Sequence, residues 1–93
     1  AKDKSGNTAL IGVCFKGNDS LASYLIEHGA DINAINTNGT TPLIFSAMYN
    51  KVNNVKLLLE NHADVSLKDN EGKTALDYAQ QKGLSEIVSM LKN

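Results

Sequence analysis

The sequence predicts an all-α repeat solenoid: three stacked units, each a helix, a tight turn, a second antiparallel helix and an extended loop ending in a hairpin tip. Gly6, Gly39 and Gly72 recur at an interval of 33 residues. In the same register follow Thr8, Thr41 and Thr74, then Leu10, Leu43 and Leu76, then Leu25, Leu58 and Leu91, and the pairs Ala30-Asp31 and Ala63-Asp64. Within each period the apolar residues fall at helical spacing. A fixed period of roughly 20 to 50 residues means stacked supersecondary units rather than one globular core. Such an array presents a surface and rarely carries out chemistry of its own.

Length and charge agree. The chain has 93 residues, a size at which a single core is marginal. Stacking suits it, because each unit buries its apolar face on the next and about three units suffice. A formal net charge of -1, with scattered lysines, gives no long-range attraction for phosphate backbones or anionic membranes. No stretch approaches the roughly 18 to 20 apolar residues of a membrane span, and Ala1-Lys2-Asp3-Lys4-Ser5 lacks the apolar run of a signal peptide. The single cysteine, Cys14, forms no internal disulfide. These features fit an intracellular, cytoplasmic protein, in which the glycosylation-type triplets at Asn18 and Asn38 carry no meaning.

The middle unit justifies the elements in order. Thr41 suits an N-cap, its hydroxyl accepting from an otherwise unpaired amide. Pro42 follows at the first helical position, where its missing N–H costs nothing. Leu43, Ile44, Ala47 and Met48 recur at helical spacing to about Tyr49. Asn50 ends this helix where the flanking units have Gly17 and Gly83, a pattern that predicts left-handed backbone. The second helix spans about 53–61, with Val55, Leu58 and Leu59 as its apolar stripe. His62 stands where the first unit has Gly29, and histidine is among the few types enriched at positive φ. Loops 32–40 and 65–73 connect the units, and Asn38-Gly39 is a strong hairpin-turn signal, so the tips are expected to project as exposed fingers.

Asn38-Gly39-Thr40-Thr41-Pro42-Leu43 resembles the turn and first-helix opening of an ankyrin repeat, and Gly29-Ala30-Asp31-Ile32-Asn33-Ala34 resembles its closing loop. The resemblance runs from Asp3 to Asn93 and implies one domain over 1–93, with repeats at about 3–35, 36–68 and 69–93. The run from Glu71 to Asp77 also resembles the C-terminal caps of ankyrin proteins. In keeping with a capping unit, Gln80 replaces Cys14 and Ala47, and Lys92 replaces Ile26 and Leu59, so the outer face of the third unit is polar. Thr74 and Asp77 have capping-box spacing. Gly12 and Asp19 stand where the second unit has Phe45 and Val52, which favours a self-contained trio over a section of a longer array.

Residues that would signal chemistry have simpler readings. His28 and His62 each have an aspartate nearby, Asp31 and Asp64, but no nucleophile is implied beside either, and converging roles are what a catalytic site needs. Cys14 falls on the inner face of a helix, where a thiol acts as a small hydrophobe with a raised pKa. One cysteine and two distant histidines give no metal-ligand spacing, every glycine has a place in the repeat, and no cofactor is implied. The chain is therefore expected to be a non-catalytic, monomeric binding module for a protein, not for nucleic acid or membrane.

The resemblance implies where that partner docks, since ankyrin proteins use the hairpin fingers and the exposed face of the first helices as a concave surface. The matching positions are Lys4, Ser5, Asn7, Phe15 and Lys16 in the first unit. They are Thr37, Asn38, Thr40, Met48 and Tyr49 in the second, and Asn70, Glu71, Lys73, Gln81 and Lys82 in the third. His28 and Asn61 extend the groove. Phe15, Met48 and Tyr49 are the candidate anchors, large apolar or aromatic side chains being the usual ones, with Phe15 and Met48 alternatively tucked into the seam between units. Lys16, Lys73 and Lys82 form a mildly basic rim suited to an acidic partner. The competing readings are an accessory or targeting segment of a larger protein or enzyme, and a structural spacer.

Overall fold

Six helices in antiparallel pairs make up the computed structural model, which describes residues 6 and 8–92. They are α1 (Ala9–Lys16), α2 (Asp19–Glu27), α3 (Pro42–Met48), α4 (Val52–Glu60), α5 (Ala75–Gln81) and α6 (Ser85–Lys92). No strand occurs among the described residues. The first helices α1, α3 and α5 pack side by side in one layer, and α2, α4 and α6 in a second. Each helix is shorter than the roughly 12 to 15 residues needed for marginal stability alone, so packing between units and the helix ends must supply the rest.

The ends are built the same way three times. Thr8, Thr41 and Thr74 accept at their hydroxyls from the amides of Ile11, Ile44 and Asp77, at 3.3, 3.1 and 3.2 Å. At α5 the Asp77 carboxylate accepts from the Thr74 amide at 2.9 Å, completing the capping box. Each first helix closes through a left-handed residue, Gly17 (φ 75°), Asn50 (φ 57°) or Gly83 (φ 70°). The next amide then reaches back over the last turn, as in Asn18 N–H to Val13 O and Lys51 N–H to Ser46 O. The second helices end likewise at Gly29 (φ 90°) and His62 (φ 67°), the histidine holding the backbone that glycine holds one unit earlier.

Leu10, Cys14, Leu43, Ile44, Ala47, Val55, Leu58, Ala79 and Ile87 belong to one continuous core running through all three units. At the C-terminal end Asp77, Gln80 and Lys92 are exposed, whereas their counterparts Ile44, Ala47 and Leu59 are buried or half-buried. At the opposite end Leu21 is 42% exposed, although Asn54 and Ile87, its counterparts, are buried. That end is therefore not polar throughout, despite Gly12 and Asp19.

The finger tips are exposed, as expected, but the second finger is partly embedded at its base. Each is a tight turn: Gly39 N–H donates to Asn36 O, Gly72 N–H to Asp69 O, and Asn36 and Asp69 pair with Thr40 and Lys73. A side-chain oxygen braces each turn from below. Asn36 Oδ1 accepts from the amides of Asn38 and Thr40 at 2.9 and 3.0 Å, and Asp69 Oδ1 from those of Glu71 and Lys73 at 2.9 and 3.1 Å. Gly39 and Thr40 are buried, with Asn70 of the next finger close against Gly39, while the tips at Thr37, Asn38, Asn70, Glu71 and Gly72 are exposed.

Candidate partner-binding face

Neighbouring fingers are tied into one surface. Asn70 donates its amide to Asn38 O at 2.9 Å and its Nδ2 to Thr37 O at 3.0 Å. Of the expected finger residues, Thr37, Asn38, Asn70 and Glu71 lie at this surface, while Thr40 contributes only from beneath it. Glu71 pairs with Lys73 at 3.9 Å, and the Lys73 ammonium stands 5.4 Å from the Tyr78 ring. Lys4, Ser5 and Asn7 lie outside the described residues.

The first helices add an aromatic cluster. Phe15 is 49% exposed, with its ring perpendicular to both Tyr49 at 4.9 Å and Phe45 at 6.1 Å. Phe45 on α3 and Tyr49 at its C-cap, four residues apart, stack at 5.9 Å. Lys82 places its ammonium 5.4 Å from the Tyr49 ring while donating to Met48 O at 2.8 Å. Met48 is half-buried and packs on the core, so of the two residues open to either reading Phe15 is exposed and Met48 sits in the seam. Lys16 and Gln81 are exposed. Phe45, Tyr78 and Lys51 belong to this surface and were not among the positions taken from the resemblance. Phe45 had a signal, because residues four apart share a helix face and Tyr49 was already a candidate. Lys51 had none, since its side chain folds back over Gly17.

Two recesses open on this face. One of about 590 Å³ lies along α1 between Gly12, Phe15, Lys16 and Phe45. The other, about 370 Å³, lies between Met48, Tyr49, Glu71 and Tyr78. Under the second, burial pushes the Asp69 carboxyl up, but hydrogen bonds from the Tyr78 hydroxyl and the Lys73 and Glu71 amides, with the Lys73 charge, hold it below the usual carboxylate range. The same carboxylate raises the Tyr78 hydroxyl well above the ordinary phenol range. Tyr78 thus stays a neutral donor that locks the third finger to α5.

The groups that would signal chemistry serve the fold. His28 Nδ1 lies 2.8 Å from Tyr24 O, and Asn61 Nδ2 donates to Leu57 O at 2.9 Å. Both stand at the C-cap of a second helix and engage a carbonyl four residues back. Burial raises the Cys14 thiol, with Ser46 and Asn54 beside it as weak opposing partners, so it is a poor source of thiolate. Among the described residues no three His, Cys, Asp or Glu side chains converge as a metal site, and no helix is long and apolar enough to cross a membrane.

Comparison with known proteins matches residues 25–79 to the family model described as ankyrin repeats in many copies, and residues 5–37 to the single ankyrin repeat model. XBAT34 of Arabidopsis thaliana is 40% identical over 96 residues, covering 98% of this chain and 25% of that protein. Dauer abnormal formation protein 25 of Caenorhabditis elegans is 35% identical over 94 residues, covering 99% of the chain and 24% of the relative. Protein phosphatase 1 regulatory subunit 12A of Mus musculus is 33% identical over 89 residues, covering 96% and 9%. The chain spans about a quarter or less of the length of these relatives.

Proposed function

The chain belongs to the ankyrin repeat family, and on that premise we propose that it is a non-catalytic module binding a partner protein across the concave face formed by α1, α3, α5 and the finger tips. Ankyrin repeats are generally protein-protein interaction modules. The observation that carries the assignment to this face is the cluster of Phe15, Phe45 and Tyr49, with Phe15 and Tyr49 exposed and Phe45 half-buried between them. Aromatic side chains concentrate binding energy at interfaces, and an unsupported cluster would expose apolar area with no return. The non-catalytic reading rests on the structural roles of His28 and Cys14.

The small share of each relative that the chain covers favours a second reading of its setting: the module serves as an accessory or targeting segment within a larger protein. The two readings share the same face. Affinity capture from native lysate tests it, comparing the parent chain with a Phe15→Ala, Tyr49→Ala double variant. These two side chains are exposed, so their loss should leave the fold intact, unlike truncation at Met48. Partners retained by the parent and lost by the variant are the expected result; equal capture by both would move the interface off this face.

A further inference from the structure

At the α1 end of the concave face, glycine interrupts an aromatic register. Gly12 occupies the position of Phe45 and Tyr78 in the next two units. Phe45 reaches back to the Phe15 ring, and Tyr78 lines a recess with Met48, which is Phe15's counterpart. Gly12 lies within α1 at an ordinary helical φ, so the backbone does not require glycine there, and a β-carbon at this position would meet nothing within 4 Å. The cleft of about 590 Å³ opens at this point, mostly apolar.

One lysine lines the cleft, and two more lie against residues that adjoin its lining. Lys16 lines the cleft, and Lys51 folds over the end of α1, its Nζ 3.5 Å from where a β-carbon on Gly17 would stand. Lys82 sits over the Tyr49 ring, which meets the Phe15 ring of the cleft at 4.9 Å. Among the described residues none of the three forms an ion pair, whereas Lys73, expected on this rim, is taken by Glu71. Among the described residues no carboxylate lines the cleft. We propose that this lysine-edged cleft docks an acidic segment of the partner protein, seating an aromatic side chain over Gly12 with flanking carboxylates toward Lys16, Lys51 and Lys82. The inference rests on the concave-face reading above. The seated ring would supply what Phe45 and Tyr78 supply in the other units, an edge or face against a neighbouring aromatic, and the charges would orient the segment.

The test follows amide resonances of the 15N-labelled chain titrated with the blocked pentapeptides EEFEE, EEGEE and KKFKK. EEFEE should move the amides of Gly12, Phe15, Lys16 and Tyr49, less as salt rises. Because filling an apolar pocket is worth about tenfold or more and juxtaposed like charges cost at least as much, EEGEE and KKFKK should bind at least about tenfold more weakly. Gly12→Leu fills the cleft from within, keeps the helix and should lose EEFEE by a similar factor. Replacing Lys16, Lys51 and Lys82 together by Gln should remove the salt dependence. Equal binding of the three peptides, no perturbation by EEFEE, unchanged affinity in Gly12→Leu, or equally tight binding of a ten-residue oligothymidine would each overturn the proposal. If EEFEE fails while partner capture is still lost in the Phe15→Ala, Tyr49→Ala variant, this inference falls and the proposed function stands.

Discussion

Asn54 is the residue most at odds with its surroundings. It is 1% exposed, occupies the register of Leu21 and Ile87, and neither amide atom has a hydrogen-bond partner of acceptable geometry. The Cys14 thiol beside it is a weak partner at best. An unpaired buried amide costs about 1 to 3 kcal/mol, so Asn54→Ile should raise the urea midpoint by that order; an unchanged or lower midpoint would contradict this. His62 is the second case. Its left-handed backbone is strained for any residue with a β-carbon, so His62→Gly should stabilise the chain by about 1 kcal/mol, read as a higher Tm. Both anomalies are legible in the sequence, because a strict repeat exposes each departure from its own pattern. The missing partner of Asn54 is not legible there, since an asparagine in this register is equally compatible with a buried hydrogen bond to a neighbouring unit.

At the scale of the element, the third finger depends on one carboxylate. Asp69 is nearly buried and its folded pKa is depressed. A depressed carboxylate contributes stability that is fully present above its unfolded value, about 4, and is lost as pH falls through the lower folded value. Asn36 holds the equivalent turn with the same two amide bonds and no charge. Asp69→Asn should therefore keep neutral-pH stability within about 1 kcal/mol while flattening the loss of stability between pH 4 and below, measured as urea midpoints at pH 7 and pH 3. An unchanged acid limb would show that the charge on Asp69 contributes nothing. Helix caps are easier to read. Thr41, Pro42 and the Thr74–Asp77 spacing act through the local chain, so the sequence contains both partners of each bond. Thr41→Ala should cost about 1 kcal/mol. The burial of Thr40 has no such signal, because it depends on how a finger packs, which its own residues do not state.

Across the whole molecule the repeat makes the architecture plain, since a 33-residue period constrains layers, order and stacking at once. The binding face is legible in outline, because register alone carries positions from one unit to the next. What register does not supply is which neighbours meet across units. Phe15 with Tyr49, Lys82 with Met48 O and Lys51 over Gly17 all join different units, between residues far apart in sequence. These pairings gather the scattered candidates into an aromatic cluster with a lysine edge. The most direct test of a concave interface is the dissociation constant of the captured partner for the parent, for Phe15→Ala, Tyr49→Ala, and for Lys56→Ala, Glu60→Ala on the α4 surface away from the fingers. The account predicts a loss of about tenfold or more for the first variant and little change for the second; the reverse pattern would contradict it.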